Sequence, residues 1–216
     1  MVRLDIFSDP ICPWCFIGKR NLDDALIEAR TDVFDIRWHP FQLNPQIPIE
    51  GMNRRVYLEG KFGGKKGAVK AYTPIVEHAA NAGLSINVDT IKRTPNTLNS
   101  HLLIHWAEAQ GVQTQLVETL FTSYFLQELD LSNNGVLRDI AHSVGMESNS
   151  IKQKLITKID LDEIKGRDAA SRKMGLTGVP AFIVAGKHVV QGAQGAELWS
   201  RVINDIEKQI SQQEIS

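Results

Sequence analysis

Asp9-Pro10-Ile11-Cys12-Pro13-Trp14-Cys15-Phe16 is the stretch whose reading decides the fold of this chain. Before it, Val2, Leu4 and Ile6 alternate with Arg3 and Asp5, and Phe7 makes both faces apolar near the end, as in a strand entering a core. That strand stops at Asp9-Pro10. After it, Phe16, Leu22, Ala25, Leu26 and Ala29 recur at helical spacing with charged residues between them. The two cysteines therefore sit at a strand-to-helix junction. Pro13 suits the first helical turn, because its missing N–H would have no intrahelical partner there, and it stiffens the motif. Beyond the helix, Phe34 to Leu43 is predicted as a second strand rich in aromatic and β-branched residues, closed by Asn44-Pro45 and Ile47-Pro48. Together these make a βαβ unit with parallel strands and a right-handed crossover.

Such a junction has chemical consequences. Only a thiolate attacks a disulfide, and a free cysteine with pKa about 8.5 is mostly protonated at neutral pH. A helix N-terminus, with unpaired N–H groups and the positive end of the dipole, favours the anion. Cys12 opens the predicted helix and Cys15 lies one turn inside. This spacing permits a local disulfide, with Cys12 as the attacking and mixed-disulfide residue and Cys15 as the resolving thiol. Trp14 is expected to be exposed, where it modulates access or lies beneath a bound peptide or thiol. The motif holds no histidine to favour the Cys12 thiolate further, so an intermediate redox potential is expected.

The alternative for a lone C-x-x-C is half of a zinc site, which needs two more ligands. His101 and His105 stand four apart on a predicted helix. The long gap between the pairs, the junction position of Cys12 and the lack of further cysteines all disfavour metal, and no metal is expected.

From Met52 to about Lys158 the chain is predicted to be helix after helix, broken at Gly60, Gly63-Gly64, Gly83, Thr94-Pro95, Gly111, Asn133-Asn134-Gly135 and Gly145. A further helix follows around Leu161 to Met174. Two short strands, Ala181 to Val184 and His188 to Gln191, form a hairpin about a turn at Gly186-Lys187. The closing helix, about Glu197 to Gln209, presents Leu198, Val202, Ile206 and Ile210 as an apolar stripe toward one face of the sheet.

With 216 residues, 43% of them apolar and 23% charged, the chain has enough apolar area for a real core. A net charge of -1 offers no field to attract nucleic acid or an anionic membrane, and neither is expected as a partner. The first seven residues lack the apolar stretch of a secretory signal, and no segment approaches the roughly 18 unbroken apolar residues of a membrane span. A cytoplasmic location is the expectation. The only two cysteines stand three apart, so they suggest chemistry rather than a structural staple.

A second motif, Gly175-Leu176-Thr177-Gly178-Val179-Pro180-Ala181-Phe182, is ordinary turn chemistry if taken alone. Joined with Asp9 to Cys15, with Phe41-Gln42-Leu43-Asn44-Pro45 and with Gly192-Ala193-Gln194, it gives four motifs in order along nearly the whole chain. In these the chain resembles the thioredoxin superfamily, and specifically the DsbA-like FrnE family. The resemblance implies an α/β, thioredoxin-like fold built from residues 1–50 and 160–216, with an all-helical domain, residues 51–159, inserted above the active-site groove. It implies a cis Val179-Pro180 bond facing the cysteines, with the Val179 backbone free to pair with an extended substrate. Asn96, Thr97 and Asn99 fall on a segment that approaches the site in related sequences, which makes Asn96 and Asn99 candidate substrate contacts alongside Pro13, Trp14, Val179 and Pro180. Trp14 stands where periplasmic DsbA proteins carry histidine.

The expected activity is thiol-disulfide exchange with a protein or glutathione thiol or disulfide. No tightly bound cofactor is expected, glutathione being a redox partner or cosubstrate, and a homodimer is left open. The nearest alternative is a glutathione-dependent isomerase or transferase, since 2-hydroxychromene-2-carboxylate isomerases and kappa-class glutathione transferases share the architecture. Those relatives typically carry serine in place of Cys12, so the presence of both thiols favours exchange. A non-catalytic binding module is disfavoured for the same reason.

Overall fold

The computed structural model describes residues 1–215, with side chains through residue 212. The first elements follow the predicted βαβ order: β1 (Val2–Ser8), α1 (Pro13–Ala29) and β2 (Phe34–Pro40). β1 pairs with β2 in parallel, from Val2 opposite Phe34 to Ser8 opposite Pro40. After a two-residue strand β3 (Met52–Asn53) come α2 (Arg54–Phe62), α3 (Lys65–Asn81), a second two-residue strand β4 (Arg93–Thr94), α4 (Leu98–Glu108), α5 (Gln113–Phe125), α6 (Asn134–Ser143) and α7 (Ser148–Thr157). The chain then returns to the sheet through α8 (Leu161–Lys173), β5 (Ala181–Val184) and β6 (His188–Gln191), and closes with α9 (Ala196–Ile215). The main sheet runs β2-β1-β5-β6, with β5 antiparallel to both β1 and β6.

β1 is buried from Leu4 onward because both faces of the sheet are covered. Leu4 and Ile6 join a core that runs without a break into the helices, through Phe16, Leu102, Phe121 and Leu137. Phe7 points the other way, into a smaller cluster with Phe41, Leu176 and Ala181. The central strand thus shares one core with α4, α5 and α6.

The middle of the chain is not purely helical, as its punctuation had suggested. Met52 pairs with Thr94 and Asn53 with Arg93 in a small antiparallel ribbon, which pins the start of α2 to the segment before α4. Two-residue strands are too short for a period-of-two pattern to register. β2 also stops at Pro40 instead of Leu43. The amides of Gln42 and Leu43 leave the ladder to reach the carboxylates of Asp168 at 2.7 Å and Asp9 at 2.6 Å.

The buried line of α9 is centred on Trp199, Ile203 and Ile206, and Leu198, Val202 and Ile210 lie half-buried beside it. The stripe is rotated from the expected one because Trp199 packs edge-on against Phe182, with ring centroids 4.8 Å apart, and against Phe34 at 6.5 Å. The hairpin turn falls one residue earlier than expected. Ala185 and Gly186 have φ of 55° and 68°, the positive pair that matches the twist of the strands. Among the described residues, no helix is long and apolar enough to cross a membrane.

Candidate active site

Asp9 organises the junction between β1 and α1. It is fully buried, and one carboxylate oxygen accepts from the Leu43 amide while the other accepts from the Ile11 amide at 3.3 Å. Its own carbonyl accepts from the Cys12 amide at 2.9 Å. These bonds fix the turn that delivers Cys12 to the N-cap of α1, with Pro13 in the first turn. The first turn of α1 carries no acidic residue, so no carboxylate competes for the positive end of the helix.

The structure has both cysteines as free thiols. Cys12 is 3% exposed and its S–H donates to the Val179 carbonyl at 3.6 Å, so the backbone group that the resemblance leaves for substrate is engaged by the thiol itself. Cys15 is 2% exposed. Burial pushes its thiol well above the usual range, and the neighbouring Cys12 sulfur adds to this. The Asp9 backbone N–H and the Ser8 hydroxyl pull the other way. The pair therefore has an outer sulfur at the helix end and an inner one that stays protonated.

Val179-Pro180 is a cis bond. Its segment is held against α1 by two contacts that the sequence motifs supply. The Gly192 amide donates to the Pro180 carbonyl at 2.8 Å, and Asn21 donates to the Gln194 carbonyl at 2.8 Å. Gly18, one turn after Cys15, permits this close approach, since a Cβ there would meet Pro180 Cγ at 3.2 Å and Ala193 Cα at 3.3 Å.

Cys12, Pro13, Trp14 and Val179 line one cavity of about 260 Å³, whose opposite wall is Arg54, Tyr57, Lys61 and Tyr72 from α2 and α3. Trp14 is half-buried rather than exposed, because α3 passes over it and His78 meets the indole edge-on with centroids 5.2 Å apart. Asn96 and Asn99 are not among the cavity-lining residues. The Asn96 amide donates to the Ile47 carbonyl at 2.7 Å and accepts from Gln42 at 3.1 Å, while Asn99 donates to Asn134 at 2.9 Å. Thr97 is buried, and its hydroxyl holds the Asp9 carboxylate.

Two signals escaped the sequence reading. Arg54, Tyr57 and Lys61 share one face of α2 at helical spacing, but nothing in the chain says that this face meets Cys12. Asp9 looks like a turn residue, whereas burial raises its pKa to about 6 against the pull of its backbone donors. Asp9 binds its proton more tightly folded than unfolded. Its stabilising contribution is complete below about pH 4, is lost as pH rises through about 6, and is absent above. Unfolding measured across this range should show the stability of the native chain relative to Asp9→Asn falling by on the order of 3 kcal/mol between pH 4 and pH 7. A difference that does not change with pH would contradict this assignment.

His101 is buried with Nε2 4.0 Å from Asp9 Oδ1, too far for a hydrogen bond, and burial lowers its pKa to about 4. His105 accepts from Arg167 at 3.0 Å. Among the described residues, His105 groups with Asp160 and Glu163, and no metal-ligating cluster contains either cysteine.

The chain is 25% identical over 213 residues to YwbO of Bacillus subtilis, covering 96% of this chain and 98% of that protein. Its fold is similar to the crystal structure of a probable DsbA oxidoreductase from Streptomyces coelicolor, with TM-score 0.84, 23% identity and coverage of 96% of this chain and 91% of that one. It is also similar to the cytosolic disulfide reductase DsbM from Pseudomonas aeruginosa with GSH, at TM-score 0.68, 16% identity, and coverage of 97% and 99%. The DSBA-like thioredoxin domain model matches residues 3–204, and the chain belongs to that family.

Proposed function

We propose that this protein is a dithiol–disulfide oxidoreductase in which Cys12 attacks and Cys15 resolves. The observation that carries this reading is the placement of the two sulfurs. Cys12 caps a helix whose first turn has no acid and lines an accessible cavity, while Cys15 is buried one turn behind it. In the reductive direction, the Cys12 thiolate attacks a disulfide RSSR and releases RS⁻, leaving RS on Cys12. The Cys15 sulfur then gives up its proton and attacks the Cys12 sulfur, releasing the second RS⁻ and closing the Cys12–Cys15 disulfide. Two electrons pass from protein to substrate. The reverse sequence donates a disulfide.

Glutathione is the proposed small-molecule partner, a reading supported by the fold shared with the structure of a disulfide reductase with GSH. A cytosolic setting fits the same chemistry, because glutathione keeps thiols reduced there. Pro13, Trp14, Val179 and Pro180 would contact the substrate, with the Val179 carbonyl released when Cys12 loses its proton. Asn96 and Asn99 would then act by shaping the loops around Gln42 and Asn134, not by contact.

Single-turnover reaction of the reduced protein with oxidised glutathione tests this against the isomerase or transferase alternative. One disulfide should be consumed per chain, with two glutathione thiols released and a Cys12–Cys15 bond found by peptide mapping. Unchanged thiols, together with turnover of a glutathione conjugate, would overturn the exchange reading.

A further inference from the structure

The wall facing Cys12 carries an unusual charge. Arg54 is 3% exposed, and its guanidinium donates to two phenols, Tyr124 at 2.8 Å and Tyr72 at 3.0 Å. Its Nε is buried with no hydrogen-bond partner among the described residues. Burial raises the pKa of both tyrosines, so they stay neutral and give the cation no counter-charge. Among the described residues Arg54 makes no ion pair. Glu59 and Asp89 line a separate cavity on its other side, but Glu59 accepts from Arg55 at 2.8 Å and Asp89 makes no ion pair with Arg54.

A guanidinium cannot shed its charge by losing a proton. A buried cation without an anion is costly, and such a group is satisfied when a carboxylate arrives. The cavity in front of Cys12 supplies no such group. Among the described residues its lining holds two cations, Arg54 and Lys61, and no aspartate or glutamate. Lys61, exposed at the end of α2, makes no ion pair among the described residues: it donates to the neutral Asn44 at 3.2 Å and Tyr57 at 2.8 Å and lies over the Tyr57 and Phe62 rings. Burial pushes the Tyr57 phenol up to about 12, so it too remains uncharged. At about 260 Å³, the space suits a small molecule.

We propose that Arg54, assisted by Lys61, is the carboxylate-recognition element of the Cys12 cavity, and that it selects small anionic thiols and disulfides as redox partners over neutral or cationic ones. This rests on the dithiol reading above. The substrate sulfur meets Cys12 while a carboxylate a few bonds away pairs with the Arg54 guanidinium at the cavity wall. The exchange is the one already balanced: RSSR is reduced to two RS⁻ as the Cys12 and Cys15 thiols are oxidised to the disulfide.

The test is stopped-flow oxidation of the reduced protein by three small disulfides that differ in charge: 3,3′-dithiodipropionate, bis(2-hydroxyethyl) disulfide and cystamine. Each rate is divided by that of the Arg54→Met or Lys61→Met variant with the same probe, which cancels the intrinsic reactivity of the disulfide. Arg54→Met should slow the dianionic probe about tenfold or more, the worth of a charge-assisted hydrogen bond, and change the neutral probe by less than about twofold. Exposed Lys61→Met, which leaves the core intact, should slow the dianion by a smaller factor and spare the other two. Arg54→Lys should recover part of the loss. An equal loss with all three probes from both variants would place the effect on Cys12 or on the fold and overturn the proposal, as would no loss with any. Failure of the native protein to react with every probe would instead overturn the dithiol reading itself.

Discussion

Cys12→Ser should abolish disulfide exchange, lowering the rate by about a thousandfold or more, whereas Cys15→Ser should leave the first attack intact and stop the second. The asymmetry follows from position. Cys12 meets the cavity and sits at the positive end of α1, so its sulfur is the one a substrate reaches. Cys15 is buried, and its thiol is pushed well above the ordinary range, so it cannot replace Cys12 as the attacking group. Mass spectrometry after mixing with oxidised glutathione reads the difference. Cys15→Ser should accumulate one glutathione on Cys12 and hold it, native protein should lose the adduct as its internal disulfide closes, and Cys12→Ser should stay unmodified. An adduct on Cys15 in the Cys12→Ser protein would reverse the assigned roles.

Trp199→Ala should destabilise the protein by about 3–5 kcal/mol, the range for removing a large aromatic from a packed core. Trp199 is fully buried and stands between Phe34 of β2 and Phe182 of β5. Removing it leaves a void where α9 meets the sheet, beneath β5, which follows Pro180. Its Nε1 has no hydrogen-bond partner among the described residues, so Trp199→Phe should cost less, because it removes an unsatisfied polar group along with some volume. Urea unfolding compares the two. Equal losses would show that the indole nitrogen has no role in the balance, and a negligible loss for alanine would contradict the packing account of α9.

The sheet-forming parts were legible because each carries its own periodicity. Val2 to Ser8 alternates, α1 has a clean helical stripe, and Ala181 to Gln191 divides about a turn. The cysteine pair was legible for the same reason, since a strand, a proline and a helix bracket it. What the chain hides is long-range. Val179 belongs to the site only because Gly192, Gln194 and Gly18 draw its loop against α1. Arg54 and Tyr72 read locally as ordinary helix residues, and their meaning comes from the fold that brings α2 and α3 over Cys12. Asp9 was hidden by its type, because a carboxylate before a proline suggests a solvated turn. The Ile11 amide is a local partner, but the Leu43 amide meets Asp9 only once β2 lies beside β1. Asn96 and Asn99 are polar residues on a suggestive segment whose amides are bonded to neighbouring loops, outside the lining of the Cys12 cavity.

The most direct test of the central claim is the redox equilibrium of Cys12 and Cys15 in graded mixtures of reduced and oxidised glutathione, read by thiol trapping and mass. The account predicts one reversible two-electron transition, in which both thiols disappear together into an intramolecular bond, and no such transition in Cys12→Ser. Two free thiols at every glutathione ratio would contradict it.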